Sequence, residues 1–206
     1  MTHPGVIGVR TAMVLAAGLG LRMRPLTQTV PKPLLAVGGE TILDQALDRL
    51  VEAGVERAVV NTHWLPEKIE RHLKTRTNPH IEISREDDLL DTGGGVTKAL
   101  PLLGDDPFFV INADIVWRNG AQPALKRLAH AWRDNEMDAL LLMASIVRST
   151  GYDGDGDFMM DCVGRLIRRP ERLIAPFVFS GVQIVHPRLF AEAPSGPFSM
   201  NVLYAQ

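Results

Sequence analysis

Residues 12–24 are AMVLAAGLGLRMR, an apolar run that passes directly into glycines and arginines. The run over residues 12–17 is too short for a helix and is followed by glycine, which predicts a buried β-strand. Gly18 and Gly20 then allow the backbone to turn tightly and to present N–H groups to an anion. We therefore expect an anion-binding loop at the end of the first strand.

The charges around this loop indicate a small polyphosphate ligand. Arg22, Arg24 and Lys32 lie within residues 13–39, a segment that contains no acidic residue. The whole chain of 206 residues has 22 Lys and Arg against 24 Asp and Glu, a net charge of −2. This near-neutral total argues against a nucleic-acid surface, because such a surface needs a basic excess.

Two common nucleotide-binding motifs are excluded by the residues of the loop. A dinucleotide-binding fingerprint needs a third glycine at the position of Met23, and the Gly-Lys-Ser/Thr of a P-loop occurs nowhere in the chain. For Gly-x-Gly by itself, a tight turn with solvated arginines is the alternative interpretation.

Short apolar runs alternate with amphipathic stretches along the chain. The clearest predicted helix is residues 41–53, which Thr41 can cap and Gly54 can end in a left-handed conformation. Further strands are predicted at residues 55–60, 80–84, 107–113 and 138–147, and further helices at residues 66–75, 96–103 and 121–133. This β–α–β order predicts a mostly parallel sheet with helices on both faces. Residues 158–169 and 177–187 instead predict antiparallel strands beside that sheet.

The string LAAGLGLRMRPLT at residues 15–27, followed by VPKPLLAVGG at 30–39, resembles the signature of the sugar-1-phosphate nucleotidyltransferases. These enzymes join an NTP to a sugar 1-phosphate and release pyrophosphate. The order of NTHWL (61–65), DTGGGV (91–96) and FSGVQIVHP (179–187) is most similar to the N-acetylmuramate-1-phosphate uridylyltransferases of bacterial peptidoglycan recycling. A guanylyltransferase for mannose 1-phosphate and a non-catalytic nucleotide or sugar-phosphate sensor are the alternatives.

The resemblance implies a three-layer α/β/α, Rossmann-like fold of the nucleotide-diphospho-sugar transferase type, with a small antiparallel extension. It implies one domain, residues 1–206, with a nucleotide-binding half at 1–115 and a sugar-binding half at 116–206. Family members usually supply a second metal carboxylate from near the C-terminus. This chain ends at FSMNVLYAQ, which resembles the first turns of a helix, so we expect the natural protein to continue.

The resemblance also implies roles for three charged residues. Arg22 would bind the β- and γ-phosphates, and Lys32 would reach the α-phosphate or the incoming sugar phosphate. Asp114 follows an apolar strand, at the edge of the sheet where open α/β folds bind ligands. It is predicted to be a ligand of Mg²⁺, which often takes only one or two carboxylates together with phosphates.

Less specific contacts are predicted by the same analogy. Backbone groups of the nucleotide site would come from Ala16, Ala17, Gly18, Gly20 and Gly94, with the uracil near Ala16, Ala17 and Gly94. The sugar would contact Asn112, Asp157 and Gly181.

The remaining predictions concern environment. The single cysteine, Cys162, is predicted to be a small buried residue. A single cysteine cannot form an internal disulfide, which favours a reducing, cytoplasmic location. We expect small-molecule substrates and neither nucleic acid nor membrane as a partner. Residues 86–88 are predicted to be a solvated acidic turn.

Overall fold

A computed structural model describes residues 8–205; residues 1–7 and 206 of the predicted domain lie outside the described range. The first strand, β1 (Thr11–Leu15), leads into short 3-10 turns over residues 21–34. The two-residue strands β2 (Ala36–Val37) and β3 (Glu40–Thr41) then pair with each other before the first helix.

The first helix, α1 (Ile42–Ala53), begins and ends as predicted. The Thr41 hydroxyl accepts a hydrogen bond from the Asp44 N–H at 3.0 Å, which satisfies one of the unpaired donors at the helix start. Gly54 has φ of 92°, a left-handed conformation that glycine adopts at little cost.

The rest of the chain continues the alternation of strands and helices and then changes to strands alone. In order, the elements are β4 (Arg57–Thr62), α2 (Pro66–Leu73), β5 (His80–Arg85), α3 (Asp91–Leu103), β6 (Phe108–Asn112), α4 (Ala124–Ala131), β7 (Ala139–Ser145), β8 (Phe158–Met160), β9 (Leu166–Arg168) and β10 (Phe177–Val185). A 3-10 helix over Met200–Ala205 completes the described chain.

The strands form one large sheet in the order β5-β4-β1-β6-β10-β8-β9, with β7 also paired to β10. Strands β5, β4, β1 and β6 are parallel, while β10 runs antiparallel between β6 and β7. The predicted α/β class with a mostly parallel sheet and an antiparallel extension is confirmed. The position of β10 differs from the prediction, because its buried half, residues 181–185, is inserted into the sheet rather than placed beside it.

Two apolar layers cover the two faces of the sheet. Ala12 and Val14 of β1 pack with Leu47 of α1 in one layer, and Met13 packs with the residues of α3 in the other. Side chains of a strand alternate between the two faces of its sheet, so this partition follows from the strand geometry. The second layer also includes Phe198, Met200 and Leu203 of the C-terminal segment.

The parallel pairing of β1 and β6 brings their carboxyl ends together. Leu15 is the register partner of Asn112, and the Ala113 N–H donates to the Leu15 carbonyl at 3.0 Å. The loops that follow the two strands therefore leave the sheet side by side, at the edge where open α/β sheets bind ligands.

The burial predicted for Cys162 is wrong, and the solvated turn predicted at residues 86–88 is wrong for Glu86 but confirmed for Asp87 and Asp88, which are exposed. Cys162 is exposed, because it lies in the tight turn between β8 and β9, where the Gly164 N–H donates to the Asp161 carbonyl. Glu86 is only 3% exposed, because its carboxylate is enclosed between β4 and the start of α3. No helix within the described residues is long and apolar enough to cross a membrane.

Candidate active site

A cavity of about 560 Å³ lies over the carboxyl ends of β1 and β6. Its walls come from the loop after β1, the start of α3 and the loop after β6. Most of the residues predicted for the site line this cavity, namely Ala16, Ala17, Gly18, Gly20, Arg22, Lys32, Asn112 and Asp114. The structure therefore brings together the predicted phosphate loop and the predicted metal carboxylate.

The loop after β1 is held in shape by contacts behind the cavity. Gly20 has φ of +62°, and a Cβ atom there would lie 2.9 Å from Thr27 Cγ2 and 3.3 Å from Lys32 Cβ. The Thr27 hydroxyl donates to the Gly20 carbonyl at 2.7 Å, and Trp64 Nε1 donates to the Thr27 carbonyl at 3.0 Å. Only glycine fits at position 20. Its lack of a side chain lets the Cβ atom of Lys32 pack close to the loop.

Lys32 and Asp114 form the charged wall of the cavity. Lys32 Nζ lies 2.5 Å from Asp114 Oδ2, and the two side chains are 23% and 38% exposed. An ion pair at this depth stays accessible to a ligand that enters the cavity. The ammonium can contact a phosphate oxygen, and the carboxylate can contact a cation.

The donor set on this wall suits one kind of cation. No group of three or more His, Cys, Asp or Glu side chains within residues 8–205 could hold a metal by itself. Mg²⁺ does not require such a group, since it is commonly bound through one or two carboxylates, substrate phosphates and waters. Asp114 beside a phosphate loop fits this mode of binding.

The two arginines of the loop differ in position. Arg22 is exposed and lines the cavity, whereas Arg24 is exposed and does not line it. Arg22 therefore adds a second cation at the mouth of the cavity, and Arg24 matches the alternative interpretation of a surface arginine.

A buried polar network supports the inner wall of the cavity. Asn61 lines the cavity, and its Oδ1 accepts from the Ala16 N–H at 2.7 Å. Its Nδ2 donates to Glu86 Oε1 at 2.7 Å, and Glu86 Oε2 accepts from the Leu90 N–H at 3.0 Å. Neither residue was predicted as part of the site; the available signal was a polar residue, Asn61, at the end of the apolar strand β4.

The three glycines of residues 93–95 lie inside α3 rather than in a loop before it. The N–H groups of Gly93 and Gly94 both donate to the Phe198 carbonyl, at 2.8 and 3.1 Å. Gly94 does not line the cavity, and its N–H is already paired. The start of α3 reaches the cavity instead through Asp91 and Thr92.

A smaller cavity of about 180 Å³ adjoins the first and shares Leu15, Asp91, Thr92 and Asn112 with it. Its far wall includes Phe179, Gln183, Ser199, Met200, Asn201 and Tyr204. Tyr204 Oη donates to the buried Gln183 Oε1 at 2.5 Å, and burial raises the pKa of the Tyr204 hydroxyl well above its usual range. The tyrosine is therefore a neutral hydrogen-bond donor in this wall.

Asp157 and Gly181, two residues predicted to contact the sugar, line neither cavity and lie directly behind residues that do. Asp157 Oδ2 accepts from the Phe179 N–H at 2.8 Å. Gly181 has φ of +78°, and a Cβ atom there would lie 3.0 Å from Asn112 Nδ2. These two residues support the walls formed by Phe179 and Asn112.

The fold and site together define an α/β protein with a cavity between a glycine loop and a strand-end carboxylate. The family model described as "Nucleotidyl transferase" matches residues 11–152, and the chain belongs to this family of enzymes, as predicted from the sequence. An N-acetylmuramate alpha-1-phosphate uridylyltransferase of Caulobacter vibrioides is 44% identical over 95% of this chain and 83% of its own length.

A second relative with the same name, from Neisseria meningitidis serogroup B, is 34% identical over 90% of this chain and 79% of its own length. A crystal structure of UDP-glucose pyrophosphorylase complexed with UDP-glucose superposes with a TM-score of 0.75. At 19% identity, it covers 89% of this chain and 78% of the other. This likeness concerns the fold.

Proposed function

We propose that this protein transfers a uridylyl group from UTP to N-acetylmuramate α-1-phosphate and releases pyrophosphate. The observation that carries the proposal is the contact between Lys32 and Asp114 within the cavity formed by the loop after β1. The 44% identity to a uridylyltransferase with this acceptor in its name supports the choice of substrates.

The reaction is an in-line displacement at the α-phosphorus of the NTP. A phosphate oxygen of the sugar 1-phosphate forms the new P–O bond, the bond to the β-phosphate breaks, and pyrophosphate takes its electron pair. The attacking oxygen is already ionised at neutral pH, so no general base is needed. The protein has to bring two anions together and to stabilise the charge that develops on the leaving group.

Two side chains of the cavity wall perform these tasks. Arg22, at the exposed mouth, binds the β- and γ-phosphates that become pyrophosphate. Lys32 moves its ammonium from Asp114 to the α-phosphate or to the attacking phosphate, a short distance for a flexible stem. Backbone N–H groups of the glycine loop add further donors for the phosphates.

Asp114 would hold a Mg²⁺ ion together with the substrate phosphates. When bound, this ion neutralises negative charge on the phosphates and thereby lowers the barrier to attack by a second anion. The acceptor sugar occupies the smaller cavity, between Asn112 and Tyr204. The nucleotide thus lies in the half formed by residues 1–115, and much of the sugar site comes from residues 116–206.

We place this activity in the cytoplasm, because a single exposed thiol is compatible with a reducing compartment. The partners in this proposal are small molecules only, and UTP and the sugar phosphate both bind through local positive charge on a chain whose net charge is −2.

The experiment measures pyrophosphate release by the intact protein with UTP, Mg²⁺ and N-acetylmuramate α-1-phosphate. Lys32→Met is expected to lower kcat/KM by about 10²- to 10³-fold, since it removes a charge that acts on the transferring phosphate. Asp114→Asn is expected to lower kcat and to raise the Mg²⁺ concentration needed for half-maximal rate.

Arg22→Ala and Arg24→Ala form a matched pair on the same loop. The first is expected to lower kcat/KM and the second to leave it unchanged, because only Arg22 lines the cavity. Release with GTP and mannose 1-phosphate but not with UTP would support the guanylyltransferase alternative. UTP binding without release from any sugar phosphate would support a sensor, and both outcomes would contradict the proposal.

A further inference from the structure

The carboxylate of Glu86 is buried behind the cavity and accepts hydrogen bonds through both oxygens. It is 3% exposed, with Asn61 Nδ2 at 2.7 Å from Oε1 and the Leu90 N–H at 3.0 Å from Oε2. An ionised carboxylate can only accept hydrogen bonds, so it fits a position between two donors. No basic side chain within the described residues forms an ion pair with it. These two donors are therefore the hydrogen-bond partners of the side chain.

The polarity of this arrangement determines the orientation of the Asn61 side chain. Asn61 is 2% exposed, and its Oδ1 accepts from the Ala16 N–H at 2.7 Å. If the amide rotated by half a turn, its NH₂ group would face the Ala16 N–H and its oxygen would face the carboxylate. Both contacts would be repulsive, so Glu86 allows only the orientation that pairs with Ala16.

The first residues of α3 cover this pair closely. A Cβ atom on Gly95 would lie 2.8 Å from both Asn61 Nδ2 and Glu86 Oε1. The two side chains cannot reorganise toward the helix, and the network therefore connects the end of β1 rigidly to the start of α3.

We propose that Glu86 is a positioning residue for the nucleotide. Acting through Asn61, it fixes the backbone of Ala16, where β1 ends and the cavity begins, and through Leu90 it fixes the segment that leads into Asp91 and Thr92 on the opposite wall. The two walls are thereby held at a set separation before the nucleotide arrives. This inference rests on the proposed function, because it assigns the nucleotide to the cavity between those walls.

Glu86→Gln tests the polarity at nearly constant volume. The new NH₂ group must face either the Leu90 N–H or the Asn61 NH₂, so one donor loses its acceptor. Loss of a hydrogen bond to a charged acceptor corresponds to about a tenfold change or more. The KM for UTP and the Kd of UTP measured by calorimetry are expected to rise about tenfold, with a much smaller change in kcat.

The rescue variant combines Glu86→Gln with Asn61→Asp, which exchanges the acid and the amide. The carboxylate at position 61 then accepts from the Ala16 N–H and from the new amide, whose oxygen accepts from the Leu90 N–H. This restores every donor–acceptor pair. Because residue 61 lines the cavity, the matched comparison is Asn61→Asp alone, which carries the same carboxylate, and the double variant is expected to bind UTP about tenfold more tightly than that single variant. Asp87→Asn, an exposed neighbour with the same loss of charge, is expected to leave UTP affinity unchanged.

Two results would overturn the inference. One is a folded Glu86→Gln protein that binds UTP as tightly as the wild type, even if its unfolding midpoint falls. The other is a folded double variant that binds UTP no more tightly than Asn61→Asp alone, and this result decides the matter if Glu86→Gln does not fold. Failure of the proposed function would appear differently, as absence of pyrophosphate release by the wild type, and the calorimetric comparison of UTP binding would still apply.

Discussion

The two glycine-rich segments of this protein look alike in sequence and act in opposite ways. Gly18 and Gly20 follow β1, and a Cβ atom on Gly18 would meet nothing within 4 Å. In α3, by contrast, a Cβ atom on Gly93 would lie 2.3 Å from the Phe198 ring, and one on Gly94 would lie 2.5 Å from the Gly196 carbonyl oxygen. Gly18 leaves space for a ligand, whereas the space beside Gly93 and Gly94 is filled by the protein itself.

The difference shows that a missing side chain can be used in two ways. A glycine lets another group approach the backbone closely, and that group can be a phosphate or a neighbouring segment of the chain. The backbone N–H groups of the packed segment are also used by the protein itself, since those of Gly93 and Gly94 donate to the Phe198 carbonyl. The packed segment is therefore expected to control stability and the open loop to control binding.

Gly94→Ala is expected to have the largest effect on stability. The added methyl would collide with the backbone at Gly196, which cannot move aside as the end of a side chain can. Overpacking of this kind costs up to about 3 kcal/mol, and the gain in helix propensity offsets about 1 kcal/mol of it. Urea unfolding should show a loss of about 2 kcal/mol, and an unchanged midpoint would refute the assignment of this glycine to packing.

Tyr204→Phe tests the C-terminal segment that packs in the same apolar layer as α3, and its expected effect on stability is smaller. It leaves the buried Gln183 Oε1 without its donor, which is expected to cost about 1 kcal/mol in the free energy of unfolding. The pH dependence provides a second measurement. Because burial raises the pKa of Tyr204 above its ordinary value of 10, the unfolded chain loses this proton at a lower pH than the folded protein.

The tyrosine thus contributes stability that is present below about pH 10 and is lost progressively above it. Unfolding measured between pH 9 and about pH 11 should show a steeper decline for the wild type than for Tyr204→Phe. Tyr152→Phe, which alters the other tyrosine of the chain, is expected to retain the wild-type decline. Identical slopes for the wild type and Tyr204→Phe would contradict the burial of this hydroxyl.

Gly18→Ala is expected to change stability least, by less than about 0.5 kcal/mol, since the added methyl points into open space. That space belongs to the cavity, so UTP affinity should fall although the protein remains folded. The measurement is the UTP affinity of Gly18→Ala and of Gly94→Ala, determined by calorimetry at a temperature where both variants are folded. Equal loss of affinity in the two variants would show that the segments do not divide their roles.

Much of the architecture was predictable because it depends on local chemistry. The strand over residues 12–17, the helix with Thr41 and Gly54 at its ends, and the charged loop all follow from neighbouring residues in the chain. Strand geometry also placed Asp114 near the loop after β1, since carboxyl ends of parallel strands meet at one edge of a sheet. The position of Lys32 at the same site was implied by the resemblance to the nucleotidyltransferases.

The role of residues 93–95 and of Glu86 depended on contacts between distant parts of the chain. Gly94 is separated from Gly196 by about half the sequence, and Glu86 acts through Asn61 on Ala16. The residue type of a glycine or a glutamate is the same in the sequence whether its side faces solvent, a ligand or a packed segment. The amino-acid sequence by itself determined the class of fold and the chemistry at the mouth of the cavity. Only the tertiary structure decided which polar and small residues are enclosed, because enclosure is a property of what packs against a residue and not of the residue itself.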